Sequence, residues 1–216
     1  MTTLFKNEHL VPGQAGQFLA LFAFVTALLS MVAYFQSARS SGLTAQQSWK
    51  RYARIIFSLH ATAVAGIFLT LFYIIFQHYF EYHYAWSHSS KELPFKYLLS
   101  CFWEGQEGSF LLWTIWNGIL GWVAMRSAGK WEAPVMSILT AVQVFLASML
   151  LGLYFFNQPV GSDPFILLRE RMTGAPIFQQ ADYLEFVRNG NGLNPLLQNY
   201  WMVIHPPVLF LGFAST

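Results

Sequence analysis

Residues 14–35 read QAGQFLALFAFVTALLSMVAYF, an unbroken apolar run with no charge inside it. An α-helix rises 1.5 Å per residue, so about 20 apolar residues cross the hydrocarbon core of a bilayer. The stretch reads as a spanning helix, and the rest of the chain repeats its pattern. Further apolar runs cover about 55–80, 108–125 and 133–156, and a last one opens at 205 and reaches 216. Counted from 205, that segment is too short to span, so it reads as the start of a fifth helix and the sequence as a piece of a longer protein. The expected fold is all-α: a polytopic transmembrane helical bundle, four full spans plus the start of a fifth, in one membrane domain over 1–216.

Composition points the same way. Of 216 residues, 55% are hydrophobic, 18% aromatic and only 10% charged, whereas soluble domains carry about 25% charged residues. The expected surroundings are membrane lipid. A net charge of +2 gives no reason to expect nucleic acid. The single cysteine, Cys101, rules out an intramolecular disulfide and reads as a structural residue. No CxxCH occurs, so the chain is not itself a c-type cytochrome. The first apolar run is long enough to span and carries no clear cleavage site, so it does not read as a signal peptide.

Charge sets the expected topology. The two short connections, 36–54 and 126–132, hold six of the 12 basic residues and one of the 10 acids. Lys and Arg near span ends favour the cytoplasmic side. The N-terminus and the long loops 81–107 and 157–200 are therefore expected outside, which in a bacterium means the periplasm. Ser41 and Lys130 are expected in the cytoplasm, and Ser89 and Asp182 outside. The aromatic and histidine-rich stretch from His78 to His88 reads as an interfacial belt.

Three places carry candidate chemistry. The first is residues 192–212, GLNPLLQNYWMVIHPPVLFLG, where one histidine precedes two prolines. Imidazole is a common heme-iron ligand. Proline lacks an N–H and disfavours helical geometry before it. If the segment is helical, the Met202 and Val203 carbonyls lose their usual partners, giving a kink or a helix that starts at His205. Alternatively, His205 only hydrogen-bonds locally at a proline-capped start. The second place is residues 103–109, WEGQEGS, with Trp103, Glu104 and Glu107 at the outer entrance to a span and Ser109 suited to an N-cap. The third is His60, inside a span near its cytoplasmic end, read as an interhelical hydrogen bonder.

Three segments in order resemble the cytochrome c-type biogenesis family that includes CcmF, NrfE and CcsA. They are residues 84–97 (YAWSHSSKELPFKY), 103–113 (WEGQEGSFLLW) and 192–212. Their order and alternation with the spans also fit, so the resemblance extends over most of residues 1–216, and the third segment is the most specific. The resemblance implies a membrane-embedded b-type heme and a role in attaching heme covalently to apocytochrome c, with heme chaperone and other maturation subunits as partners. It implies that His205 is an axial ligand of heme b. Trp103, Glu104 and Glu107 become a possible outer-face site, and the location becomes the bacterial inner membrane. Gln106 stands where the family usually has histidine. The Trp-rich heme-handling segment is absent from residues 1–216, so no catalytic residue can be named. Two other classes stay open: a heme exporter or other polytopic transporter, and a non-catalytic membrane assembly subunit.

Overall fold

The small residues of the first helix set the architecture. The computed structural model of the protein describes residues 5–156 and 158–216. Helix α1 spans Leu10–Arg39, and its buried positions are Gly13, Gly16, Ala20, Ala23, Thr26, Ala27, Ser30, Ala33, Tyr34 and Ser37. Nearly all are small, and they recur every three or four residues. Such a stripe lets helix backbones approach closely where no water-driven force brings them together. Helices α2 (Leu43–Phe76) and α6 (Glu132–Met149) pack against it, and α5 (Gln106–Ser127) packs against both of these. Four helices are long and apolar enough to cross a membrane. A further apolar helix, α8 (Tyr200–Ser215), lies along α5. The chain is an integral membrane protein of the all-α class, as its sequence predicts.

Element ends differ from the sequence reading. Helix α2 begins at Leu43, well inside the expected loop 36–54, because residues 43–54 are mostly good helix formers. His60 consequently sits near the middle of a 34-residue helix rather than near its end. The same helix stops at Phe76, just before His78 turns left-handed at φ 55°. Helix α6 stops at Met149, and β1 (Leu153–Phe155) then pairs antiparallel with β2 (Gln158–Val160).

Both long connections fold into one cap at one end of the bundle. Short helices α3 (His83–His88), α4 (Phe95–Glu104) and α7 (Leu168–Arg171) lie within it. Backbone bonds join its halves: Leu168 N to Glu81 O at 2.7 Å, His83 N to Ile166 O at 3.0 Å and Asn191 N to Trp86 O at 2.8 Å. The N-terminus fastens to the same cap. Tyr82 Oη donates to His9 O at 2.6 Å and accepts from Gly13 N at 2.8 Å. Arg169 and Tyr183 both donate to Glu8 Oε1 at 2.8 Å. Gly13 and Gly16 leave room for Tyr82 and Phe165, which lie where any Cβ would stand. At the other end the connections are short, and Arg54 donates to both oxygens of buried Glu132 at 2.6 Å. The N-terminus and both long loops therefore share one end, as the charge asymmetry implies. Ser89, expected on the outer side, lies within this cap but is buried there, donating to Ala85 O at 2.7 Å, so it is a poor labelling position.

Candidate functional site

Asparagine caps set up the C-terminal block. Asn194 Oδ1 accepts from Leu196 N at 3.0 Å and opens a short 3₁₀ turn, Pro195–Leu197. Asn199 Oδ1 accepts from Met202 N at 3.1 Å and starts α8. A helix beginning at His205 is thereby overturned. The Asn199 cap starts it earlier, and it runs through both prolines.

Those prolines leave carbonyls without helical donors, and α4 supplies one replacement. Met202 O would accept from residue 206, which is proline. Trp103 Nε1 donates to it instead, at 2.8 Å. Six residues earlier on α4, Tyr97 Oη donates to Gln198 O at 3.0 Å. Trp113 of α5 packs its ring against Phe213 and Phe210, with centroids 5.7 and 6.2 Å away. Helix α8 is thus held along one side by α4 and α5.

His205 lies on another side, exposed, and its ring makes no hydrogen bond or ion pair among the described residues. Trp201, one turn before it, and Val208 and Leu209, one turn after it, are also exposed, at 70%, 60% and 40%. The histidine therefore stands in an uncovered apolar stripe. Pro207 lines a groove of ≈ 830 Å³ with Trp103, Phe68, Leu112, Trp116 and Trp122. Two residues along a helix rotate by about 200°, so that groove is on the far side of α8 from His205. The described residues include no cluster of three or more His, Cys, Asp or Glu able to hold a metal ion. The arrangement offers one imidazole, able to fill one coordination position of an iron.

The WEGQEGS stretch is divided between two tasks. Trp103 serves α8, while the rest serves the cap. The N-cap of α5 is Gly105, not Ser109. Ser109 instead donates to Trp103 O at 2.9 Å, because α5 begins earlier than the apolar pattern does. Tyr84 explains the glycines. Its ring packs against Gly105, its hydroxyl donates to Phe102 O at 2.8 Å, and a Cβ at Gly108 would overlap the Phe102 carbonyl. Burial, with Glu107 beside it, pushes the Tyr84 hydroxyl well above its ordinary range. Glu104 faces inward, 14% exposed, 3.3 Å from His88 Nδ1. Glu107 sits in the first turn of α5, near His83. Burial pushes His83 below its ordinary value, Arg171 adds to the effect, and Glu107 opposes it. Cys101 is buried, donates to Tyr97 O at 3.1 Å, and has its thiol pushed up to about 12 by burial, which suits a structural thiol.

Sequence reasoning singled out Trp103, Glu104, Glu107 and His205 as candidates but gave no partition among them; of the first three, the structure shows Trp103 bonded to α8. It also missed the Glu104–His88 pair. No spacing rule links the two, because an irregular turn and α4 intervene.

Comparison with known proteins bears on this geometry. The family profile described as cytochrome C assembly protein matches residues 103–216, just over half of the chain and all of α8. Cytochrome c-type biogenesis protein CcmF of Pseudomonas fluorescens is 30% identical over 205 residues, covering 94% of this chain and 27% of that protein. NrfE of Haemophilus influenzae is 26% identical over 207 residues, covering 94% of this chain and 28% of its own length. The solved structure of the cytochrome c heme lyase CcmF superposes with a TM-score of 0.68 at 21% identity, over 94% of this chain and 28% of that one. The fold is therefore shared, while the chain spans a little over a quarter of the length of these relatives. With a profile matching from Trp103 through the histidine–proline block, the chain belongs to the cytochrome c assembly protein family.

Proposed function

We propose that the chain is the part of a cytochrome c heme lyase subunit that would help hold a b-type heme, and that His205 would be a ligand to its iron. The observation that carries the reading is the free imidazole of His205 on an uncovered apolar face of α8. Apolar surroundings suit a porphyrin, and an imidazole without a competing hydrogen bond is available to iron. A bound heme would supply a redox-active iron there. The residues of this chain would supply the ligand, the apolar face, and a rigid mount in which Trp103 steadies the turn carrying His205. The cap lies at the end assigned to the periplasm by the charge rule, facing the apocytochrome c and heme chaperone with which such a subunit would work in a bacterial inner membrane. Glu107 would contribute to that end from the first turn of α5, and Glu104, facing inward, would brace it through His88.

The test uses the full-length protein. His205→Ala is expected to lower copurified b-type heme sharply and to block holocytochrome c formation while the protein stays in the membrane. Added imidazole is expected to restore part of the heme spectrum. His60→Ala is the comparison, expected to cost packing rather than heme. Full heme with an unchanged low-spin spectrum in His205→Ala, together with heme loss in His60→Ala, would sink the assignment. Replacing Glu104 and Glu107 together by Gln is expected to lower cytochrome c yield, and wild-type yield would leave the pair with only a structural task.

A further inference from the structure

We propose that the groove between α2 and α5 binds one anionic phospholipid, its acyl chain in the groove and its phosphate on Arg51 and Arg126. Thr62, Ala65 and Leu69 of α2 form one wall, and Leu112, Ile119 and Trp122 of α5 the other. All but Leu112 are exposed, so the ≈ 830 Å³ groove opens away from the bundle, where lipid surrounds a spanning protein. Its length selects the occupant. Leu112 and Trp122 are ten residues apart, about 15 Å along a helix. That is half of the ~30 Å hydrocarbon core, the depth of one leaflet. Trp103 and Pro207 also line the groove, at the end toward the cap. A crossing helix would need the full thickness, whereas an acyl chain needs one leaflet. Left unfilled, the walls would forfeit their dispersion contacts.

The opposite end of the groove is basic. Arg126, one turn beyond Trp122, lies with its guanidinium 4.9 Å from that ring's centroid. On α2, Arg51 precedes Thr62 by eleven residues, about three turns, which puts both on one side of the helix. Arg54 joins the two helices here, donating to Met125 O at 3.1 Å. The single acid of the two short connections is Glu132, and Arg54 and Lys50 already hold it. Arg51 and Arg126 are exposed and form no ion pair among the described residues. Two guanidinium groups without a carboxylate, just past the mouth of an apolar groove, complement a phosphate just past its acyl chain. Basic pockets between spanning helices on the cytoplasmic side suit anionic headgroups, and the charge rule assigns this end to the cytoplasm. A zwitterionic lipid sets its own ammonium against the arginines and gains less from them.

The test uses the full-length protein, bimane-labelled at a single cysteine on the groove's rim, Ile119→Cys, in nanodiscs of equal phosphatidylglycerol and phosphatidylethanolamine. One lipid at a time carries brominated acyl chains, which quench bimane on contact. Brominated phosphatidylglycerol is expected to quench more strongly. Each arginine should contribute about five-fold to that preference, and Arg51→Gln combined with Arg126→Gln should abolish it. Arg188→Gln, at an exposed site in the cap, is the control and should leave the preference unchanged. Equal quenching by the two lipids would overturn the proposal in favour of bulk lipid. Quenching by neither would overturn it in favour of a protein segment covering the groove. A preference that survives the double variant, or falls equally in Arg188→Gln, would overturn it as well, because the headgroup would not be held at this mouth.

Discussion

Trp103 Nε1 donates to the carbonyl of Met202, the oxygen that Pro206 leaves without a helical partner. An indole from one helix thereby does for another what its own backbone cannot. Trp103→Phe keeps most of the ring and removes the donor. It should cost about 1 kcal/mol, the usual net value of one hydrogen bond, and raise amide exchange in the first turns of α8. Unchanged exchange there would show that the bond does not hold the helix.

Steric fit fastens the cap to α1. At Gly16 a Cβ would stand inside the ring of Phe165, which is itself 2% exposed. Gly16→Val should expel that ring and expose the connection after α6 to protease, with the spanning helices still inserted. Protection equal to wild type would mean that the cap tolerates displacement of Phe165.

Acid should loosen the same cap. The His83 pKa is lowered from 6.5 in the folded protein, mainly by burial and then by Arg171. His78 is lowered from 6.5 as well, by burial and by Lys91. A base with a depressed folded pKa contributes stability above its unfolded value, and that contribution is lost as pH falls through the folded value. Cap stability should therefore drop below about pH 6.5, and His83→Gln should flatten the drop. Asp163 works in the opposite sense, since burial raises its pKa. A buried carboxyl of this kind favours the fold most at low pH, so a His83→Gln protein that gains stability in acid would be reporting Asp163.

Topology can be read by labelling single cysteines in a Cys101→Ser background. Ser41, Lys130, Glu92 and Glu185 are all exposed. Cysteines at the first two should react only from the cytoplasmic side, and those at the last two only from outside. Reaction of position 92 from the cytoplasm would invert the arrangement.

The spanning helices were legible because a charge-free run such as 14–35 has few structural alternatives, and the shared end of the long loops followed from Arg and Lys counts. The cap was not legible. Its long-range bonds join residues such as His9 and Glu81, 72 positions apart, and Glu8 and Tyr183, 175 apart, and no periodicity encodes such pairs. At the candidate site, the proline logic correctly named Met202 as a carbonyl in need of a donor. Nothing local could identify Trp103 as that donor, because the bond depends on how α4 lies across α8. The start of α8 was misplaced because apolar pattern outweighed Asn199, a capping residue six positions before the histidine.

The link between Glu8 and Arg169, 161 residues apart, has a consequence in time. At about 5–20 residues per second of synthesis, the N-terminal segment emerges roughly 10–30 seconds before its partner. Through that interval Glu8 and His9 have no cap to bind. The helices can insert one after another as they are made, but the cap can close only once the chain has passed Tyr183. Order of manufacture and order of completion are therefore different, and Glu8 and His9, made well before Arg169, are among the last to find their place.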